Sequence, residues 1–202
     1  MKIIVISGSH RKNSESEKVA KYVKNNLNKI ASNLEVEVLS LAENPIPLWE
    51  ENVWSDDPKW QEIWLPVSRK LSSADAFVVV SPEWGGMVPS GLKNLFILCT
   101  NNELSHKPAL IVAVSSGIGG SYPVSELRSS SYKNSRICYI PDHVIVRQVT
   151  EMLKDDVPEN TRDENLRKRL EYSLKILLEY SKALKPVRES NIIDYKSFPY
   201  GM

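Results

Sequence analysis

Residues 78–94 read VVVSPEWGGMVPSGLKN, and this stretch decides the fold. An apolar run of β-branched residues ends at Pro82, a glycine pair follows, and Pro89 opens a segment of helical composition. This succession is typical of a buried strand in an α/β sheet that passes into a helix at the carboxyl edge of the sheet. Because such folds bind ligands at that edge, the stretch predicts a ligand site as well as a sheet.

Apolar runs alternate with helical patterns along most of the chain. We predict five strands, at residues 3–6, 34–39, 76–80, 110–114 and 137–140, with 144–146 as a candidate continuation of the last. Helices are predicted at residues 14–30, 92–100 and 122–133. The alternation indicates βαβ units, and therefore an α/β fold with a doubly wound, five-stranded parallel sheet. Right-handed crossovers favour the strand order 2-1-3-4-5 for a chain of this length.

The segment between the second and third strands is irregular. A long loop, residues 44–57, carries Trp49 and Trp54, and loops of this length are usually functional or form interfaces. Asp57-Pro58 is a capping residue followed by a first-turn proline, which predicts a helix start. Pro66 then predicts a break or kink in that helix.

A long amphipathic helix is predicted at residues 161–184, with Thr161 and Glu164 as a capping box at its start. Its leucine stripe either packs on the sheet or forms a subunit interface. The aromatic tail that follows lacks periodicity, and it either wraps a neighbouring subunit or is loose. We therefore expect one domain, residues 1–185, in which the long C-terminal helix is added to the sheet core, and a tail, residues 186–202.

Composition narrows the class of protein. The 202 residues include 26 Lys and Arg against 25 Asp and Glu, and this near-zero net charge argues against a nucleic-acid-binding protein. No run is long and apolar enough to span a membrane, and the strand-like residues 3–6 argue against a signal peptide. Cys99 and Cys138 stand far apart, without His or Cys at ligand spacing. We expect buried, reduced cysteines, no metal site and a cytoplasmic protein.

The loop after the first strand, GSHRKNS at residues 8–14, leads directly into a helix. The N-terminus of a helix offers unpaired N–H groups and the positive end of its dipole, which suits a phosphate. Ser9 and Ser14 add hydroxyl groups, and Arg11 adds a planar cation. The alternative is that Ser14 only caps the helix, with Glu17 completing a capping box. The patterns of a nucleotide triphosphatase P-loop and of a dinucleotide fingerprint are both absent from the sequence.

Two glycine-containing loops follow the third and fourth strands. In residues 82–87, glycine lets the backbone approach a flat ligand, and Trp84 either lies along that ligand or packs under the turn. Glu83 is either a general base or a structural hydrogen-bond acceptor. Residues 115–121 read SSGIGGS and stand at the same edge of the predicted sheet. The three loops together predict a phosphate-bearing cofactor in one crevice.

In this order, each at a strand end, the three motifs resemble those of the NADPH-dependent FMN reductase family, and Leu127-Arg128 extends the likeness. The resemblance covers roughly residues 1–146. It implies a flavodoxin-like fold, the cofactors FMN and NAD(P)H, and an oxidoreductase in a family that includes quinone, azo-dye and chromate reductases. Hydride would pass from the nicotinamide to the flavin and then to a small-molecule acceptor: a quinone, an azo or nitro compound, a metal oxyanion or free flavin.

The resemblance also assigns residues. It implies that Ser9, Arg11 and Ser14 hold the FMN phosphate, with Ser16 beside them at a position where the family often has Asn. It implies that one side of the isoalloxazine and the ribityl chain lies along Pro82, Glu83, Trp84 and Gly85, and the other along Ser115, Gly117 and Gly120. The family usually has Tyr-Asn at Trp84-Gly85. No separate catalytic residue is implied, because the flavin carries the chemistry.

Two other functions compete with this hypothesis. One is an FMN-bound electron-carrier module, although such carriers tend to be strongly acidic for docking. The other is a transferase or hydrolase that acts on a nucleotide-like ligand with Glu83 as the nucleophile. For the reductase we expect a homodimer or homotetramer, because subunit contacts commonly wall the flavin site in this family.

Overall fold

Five parallel strands form the sheet: β1 (Lys2–Ser7), β2 (Glu35–Ser40), β3 (Ala76–Pro82), β4 (Pro108–Val114) and β5 (Cys138–Val146). Their order is β2-β1-β3-β4-β5, which confirms the predicted α/β topology. The computed structural model describes residues 1–201. The inner strands β1, β3 and β4 are near-continuous apolar runs because both faces of the sheet are covered there, and every residue of β3 and β4 is buried.

The helices divide between the two faces. Their bounds are α1 (Glu15–Ile30), α2 (Pro58–Ser72), α3 (Ser90–Leu98), α4 (Ser121–Ser130) and α5 (Thr161–Arg188). One apolar cluster joins α2, α3 and α4 to the sheet, and a second joins α1 and α5 to the opposite face. Ile4 and Ile6 of β1 belong to the first cluster, whereas Ile3 and Val5 belong to the second. This alternation follows from the two-residue period of a strand.

A break in α2 at Pro66 and a cap at Thr161 are not what the structure shows. Helix α2 runs through Pro66 without interruption, because the flanking Trp64 and Val67 are buried against the first cluster and hold both halves in place. The start of α5 is capped by Asn160, whose side chain accepts hydrogen bonds of 3.0 Å from the N–H groups of Arg162 and Asp163. Thr161, predicted as the cap, is the first helical residue.

The fifth strand is continuous from Cys138 to Val146, which joins the two predicted pieces. Its pairing with β4 shifts register between Ala109 and Ile111, so that three residues of β5 pass without a partner opposite one residue of β4. This irregularity accommodates Pro141, which cannot donate to a regular ladder.

The leucine stripe of α5 packs on the sheet, which settles the choice between the two predicted roles. Leu170, Leu174 and Leu177 are fully buried in the second cluster. The tail lies against its own chain near the starts of β4 and β5. There the Arg136 guanidinium donates to the Phe198 carbonyl at 2.8 Å, and Tyr195 stacks on His106.

Candidate functional site

The three predicted loops lie side by side at the carboxyl edge of the sheet. Each loop continues the hydrogen bonding of the strand before it. Gly8 N donates to Val80 O at 2.8 Å, and Glu83 N donates to Val114 O at 2.9 Å. Because chain order reverses between β1 and β3, this edge is the switch point at which open α/β sheets bind ligands.

The first loop combines a capped helix start with free cations. Ser14 Oγ accepts from Glu17 N at 3.1 Å, which confirms the cap and leaves the Ser14 O–H able to donate elsewhere. Ser9 is buried, and its Oγ accepts from Arg11 N at 3.2 Å. Arg11 and Lys12 are exposed, and among residues 1–201 neither has a carboxylate within 4.0 Å. The loop therefore presents uncompensated positive charge beside the N-terminus of α1.

Only one half of the predicted capping box forms. Ser14 caps the helix, but the Glu17 side chain makes a different contact. The Glu17 carboxylate pairs with Lys21, one turn further along α1, at 2.7 Å. Ser16 is the second residue of α1, where a backbone N–H has no partner within the helix, and its side chain is buried. The unpaired backbone donors at this helix start are therefore available to an anion.

In the second loop, residues 84–87 form a tight two-residue turn, which we call the Trp84 turn. Trp84 and Met87 exchange two backbone hydrogen bonds of 3.0 Å. The two central residues, Gly85 and Gly86, have φ angles of 58° and 74°, which explains the glycine pair. The turn thus holds the Trp84 side chain at the sheet edge on a fixed backbone.

His10 of the first loop contacts Trp84 of the second loop. It is exposed, yet its ring lies edge-on to the Trp84 indole with 4.7 Å between the ring centroids. A methyl group at Gly91 would lie only 2.9 Å from His10 Nδ1, so the imidazole rests on the first turn of α3. The first and second loops are therefore in direct contact.

Glu83 reaches from the second loop to the third. Its carboxylate accepts a hydrogen bond from the N–H of Gly120, the N-cap residue of α4. A methyl group at Gly119 would lie 2.7 Å from Glu83 Oε1, so the carboxylate lies directly against this glycine. Among residues 1–201 no Lys, Arg or His lies within ion-pair distance of Glu83. Of the two roles considered for Glu83, the structure shows the hydrogen-bonding one.

The third loop is open on one side and supported from behind. Nothing lies within 4 Å of a methyl group built at Gly117, while Gly117 N donates to Ser115 Oγ at 3.3 Å. The support comes from two residues that sequence reasoning missed. Gln148 N donates to Gly117 O at 2.8 Å, and Arg147 Nε donates to the Ile118 and Gly119 carbonyls at 2.7 and 3.0 Å. Arg147 and Gln148 directly follow β5, so their position in the sequence already placed them at the same edge of the sheet as the three loops.

The remaining histidines lie apart from these loops. His143 lies within β5, where burial and the Arg128 guanidinium lower its pKa. His106 precedes β4 at the opposite edge of the sheet, where burial and the Arg136 guanidinium lower its pKa. Neither histidine contributes to the three-loop site.

An edge of this kind, with exposed cations beside a helix N-terminus and two glycine loops, is typical of a flavodoxin-like protein. The model of the NADPH-dependent FMN reductase family matches residues 1–151, and the chain belongs to this family. The match confirms the fold and the cofactors, FMN and NAD(P)H, that the resemblance implied. It does not favour an electron carrier or a transferase.

Curated relatives share the matched region. The chain is 28% identical over 146 residues to an NADPH azoreductase of Bacillus sp. (strain OY1-2), which covers 72% of this chain and 76% of that protein. It is 30% identical to an FMN-dependent NADPH-azoreductase of Staphylococcus saprophyticus, with 63% and 68% covered. It is 32% identical to a quinone reductase of Pseudomonas putida, with 58% and 62% covered.

Solved structures share the fold. The flavoenzyme FerB, an NAD(P)H:(acceptor) oxidoreductase of Paracoccus denitrificans, superimposes with a TM-score of 0.69 at 21% identity, covering 90% of this chain and 97% of that one. An FMN-dependent NADH-azoreductase of Bacillus anthracis in complex with FMN superimposes with a TM-score of 0.60 at 16% identity, covering 88% and 99%. Among residues 1–201, no helix of this chain combines the length and apolar character that crossing a membrane needs.

Proposed function

We propose that this FMN-dependent NAD(P)H oxidoreductase passes electrons to a small electron-poor acceptor: a quinone, an azo or nitro compound, a metal oxyanion or free flavin. The observation that carries the proposal is the convergence of the three loops at the sheet switch point, within the region that the family model matches. Relatives named azoreductase and quinone reductase support this acceptor class.

The first loop fits the phosphate of FMN. Arg11 is an exposed guanidinium without a carboxylate partner, and it can form charge-assisted hydrogen bonds to phosphate oxygens. Ser9 and Ser14 supply hydroxyl groups, and Ser16 supplies a backbone N–H at the start of α1. The loop offers one anion site rather than two, which favours FMN over FAD.

The second and third loops fit a flat ring. We assign Pro82, Glu83, Trp84 and Gly85 to one side of the ring, and Ser115, Gly117 and Gly120 to the other. The open backbone at Gly117 and the tight turn at Gly85 allow close approach of a planar ligand. When bound, FMN supplies the hydride acceptance and release. The chain binds and orients the flavin, and Glu83 holds the two loops together.

We also propose a homo-oligomer, with a second copy covering the outer side of α3. The backbone of residues 44–57 is fixed to this helix by buried Asn94, whose amide donates to Pro47 O and accepts from Trp49 N, both at 2.8 Å. The loop and α3 nevertheless leave Trp54 and Ile97 more than half exposed. Rigidly held apolar side chains that remain exposed are typical of protein interfaces. The leucine stripe of α5 is buried against the sheet, so the proposal of a homo-oligomer rests on the exposed surface of Trp54 and Ile97.

Two smaller proposals concern organisation. We assign residues 1–185 to the cofactor-binding unit and residues 186–202 to a tail, because the tail contacts the edge of the sheet opposite the three loops. The last tail residue, Met202, lies outside the described residues. We also propose a cytoplasmic location, because both cysteines, Cys99 and Cys138, are free.

The test of the function is a visible spectrum followed by reduction. The purified protein should be yellow or become so with FMN, bind FMN in preference to FAD, and bleach when NADPH or NADH is added without oxygen. Adding a quinone or an azo dye should then restore the oxidised spectrum. If FMN does not bind with a dissociation constant of tens of micromolar or lower, a binding free energy of about −6 kcal/mol, the cofactor assignment is contradicted. Bleaching that no acceptor reverses would contradict the acceptor class.

A further inference from the structure

The Trp84 turn is held at both ends by carboxylates that tie it to α4. Before the turn, Glu83 accepts from the N–H of Gly120, the N-cap residue of α4. After the turn, Val88 N donates to Glu126 Oε2 at 2.7 Å, and Glu126 lies in the second half of α4. The other oxygen of Glu126 forms an ion pair with Lys93 of α3. One helix thus fixes both ends of the turn.

These contacts are strong enough to position a backbone. Burial opposes ionisation of Glu126, but the Lys93 ammonium and the Val88 N–H outweigh it and lower its pKa, so the carboxylate is charged at neutral pH. A hydrogen bond from a backbone N–H to a charged acceptor is about twice as strong as a neutral one. Val88 is itself buried, so its N–H depends on Glu126 rather than on solvent.

We propose that Glu126 is a positioning residue for the flavin ring. It sets the height of the Trp84 turn relative to the Gly119-Gly120 backbone, and so the spacing between the two ring-binding loops. This inference rests on the proposed function, in which residues 82–85 and 115–120 hold the ring. The rival explanation is an ordinary surface ion pair between α3 and α4, which would contribute little and would not affect ligands.

The two explanations differ in which ligand is affected. Glu126 touches no residue of the phosphate loop, residues 8–14, so its effect should not depend on the phosphate. In Glu126→Ala, the dissociation constants of FMN and of riboflavin should both rise about tenfold, equivalent to about 1.4 kcal/mol. Glu126→Gln should recover most of this loss, because its amide oxygen can still accept from Val88 N. The matched control is Glu171→Ala, which removes an exposed carboxylate paired with Lys175 on α5.

A second measurement uses the protein without flavin. Amide hydrogen exchange in residues 84–88 should be faster in Glu126→Ala than in wild type, and unchanged in Glu171→Ala. Should Glu126→Ala fold poorly, Lys93→Met serves instead, because it removes the cation that orients the Glu126 carboxylate towards Val88 N and so weakens that contact. We expect about a threefold loss of affinity for both flavins.

Each outcome supports or overturns the inference. Equal losses for FMN and riboflavin, with faster exchange in the turn, support it. Unchanged affinities, a loss restricted to FMN, or lowered stability with normal affinity overturn it. Failure of the wild-type protein to bind either flavin is a different result, because it removes the proposed function itself.

Discussion

The Glu83 carboxylate and the Gly120 N–H form a hydrogen bond that joins the loop after β3 to the N-terminus of α4. The carboxylate gives a partner to one of the backbone N–H groups at the start of α4 that have none within the helix. The contact uses one of the two carboxylate oxygens of Glu83 to tie the two loops together. The relationship therefore gives Glu83 a structural role at the site, and the first prediction tests whether it has a chemical role as well.

The first prediction is that Glu83→Gln keeps hydride transfer from NAD(P)H within about tenfold of wild type, because the amide oxygen can still accept from Gly120 N. Loss of a general acid or base would cost about 10² to 10⁴-fold. The measurement is stopped-flow bleaching of bound FMN under anaerobic conditions, with flavin occupancy checked first. A loss beyond a hundredfold at full occupancy would show that Glu83 participates in the chemistry.

The second prediction concerns the space that Glu83 occupies. Gly119→Ala places a methyl group 2.7 Å from Glu83 Oε1, so the carboxylate must move and its contact with Gly120 weakens. Crowding of this kind typically costs about 1–3 kcal/mol. Urea denaturation of the flavin-free protein should show a loss in that range. Gly117→Ala is the matched control, because its methyl group meets nothing within 4 Å. Equal stability of the two variants would contradict the predicted contact.

The sequence predicted the sheet because its inner strands, β1, β3 and β4, are buried on both faces and read as near-continuous apolar runs. It also placed the three loops correctly, since loops that follow neighbouring parallel strands share one edge. It could not predict the contacts between those loops. The Glu83–Gly120 and Glu126–Val88 bonds join residues 37 and 38 positions apart, and they depend on how α4 packs beside α3.

Local signals also failed where packing decided the outcome. Pro66 should break a helix by its own chemistry, but α2 continues through that position, where its buried neighbours hold it against the sheet. At α5, Thr161 fitted the capping pattern, and Asn160 one residue earlier took the role. Asn and Thr are both good caps, so the pattern alone did not separate them.

The third prediction separates the phosphate from the ring. Arg11→Ala should weaken FMN binding by roughly ten- to a hundredfold and riboflavin binding hardly at all, because hydrogen bonds to charged groups are worth about 1.5–3 kcal/mol. Isothermal calorimetry with both ligands provides the comparison. Lys12→Ala is the neighbouring control, which tests whether any cation in this loop suffices. Losses of equal size for FMN and riboflavin would mean that Arg11 does not contact the phosphate.

The fourth prediction concerns acid stability. Hydrogen bonds from the ammonium groups of Lys2 and Lys70, at 2.7 and 3.0 Å, lower the pKa of Glu37 from 4.5 to about 2. A carboxyl group with a lowered pKa stabilises the fold above its unfolded-state pKa, and this contribution is lost as the pH falls from about 4.5 towards about 2. Glu37→Gln should therefore lower the free energy of unfolding at pH 7 by up to about 1 kcal/mol, since these are surface pairs.

Denaturant unfolding at several pH values between 7 and 3 tests this effect. The difference between wild type and Glu37→Gln should shrink as the pH falls, because protonation removes in the wild type what the substitution removes in the variant. Glu164→Gln, at an exposed pair with Lys168 on α5, is the control. A difference that stays constant with pH would show that the loss comes from packing rather than from charge.

The last prediction concerns assembly. Ile97 is 61% exposed on α3 and lines a cavity of about 690 Å³ together with Trp54. If a second copy covers this surface, Ile97→Glu should bury a charge at the interface and shift the protein towards monomer, because an unpaired buried charge is strongly unfavourable. Ile192→Glu is the matched control, since Ile192 is 88% exposed in the tail and lies outside this surface.

Light scattering at micromolar concentration, with FMN bound, gives the mass of each variant. The proposed interface lies on the helix that follows the Trp84 turn, so the monomeric variant should also bind FMN more weakly. A wild type that is monomeric, or a variant that stays oligomeric, would place the subunit contact elsewhere or remove it.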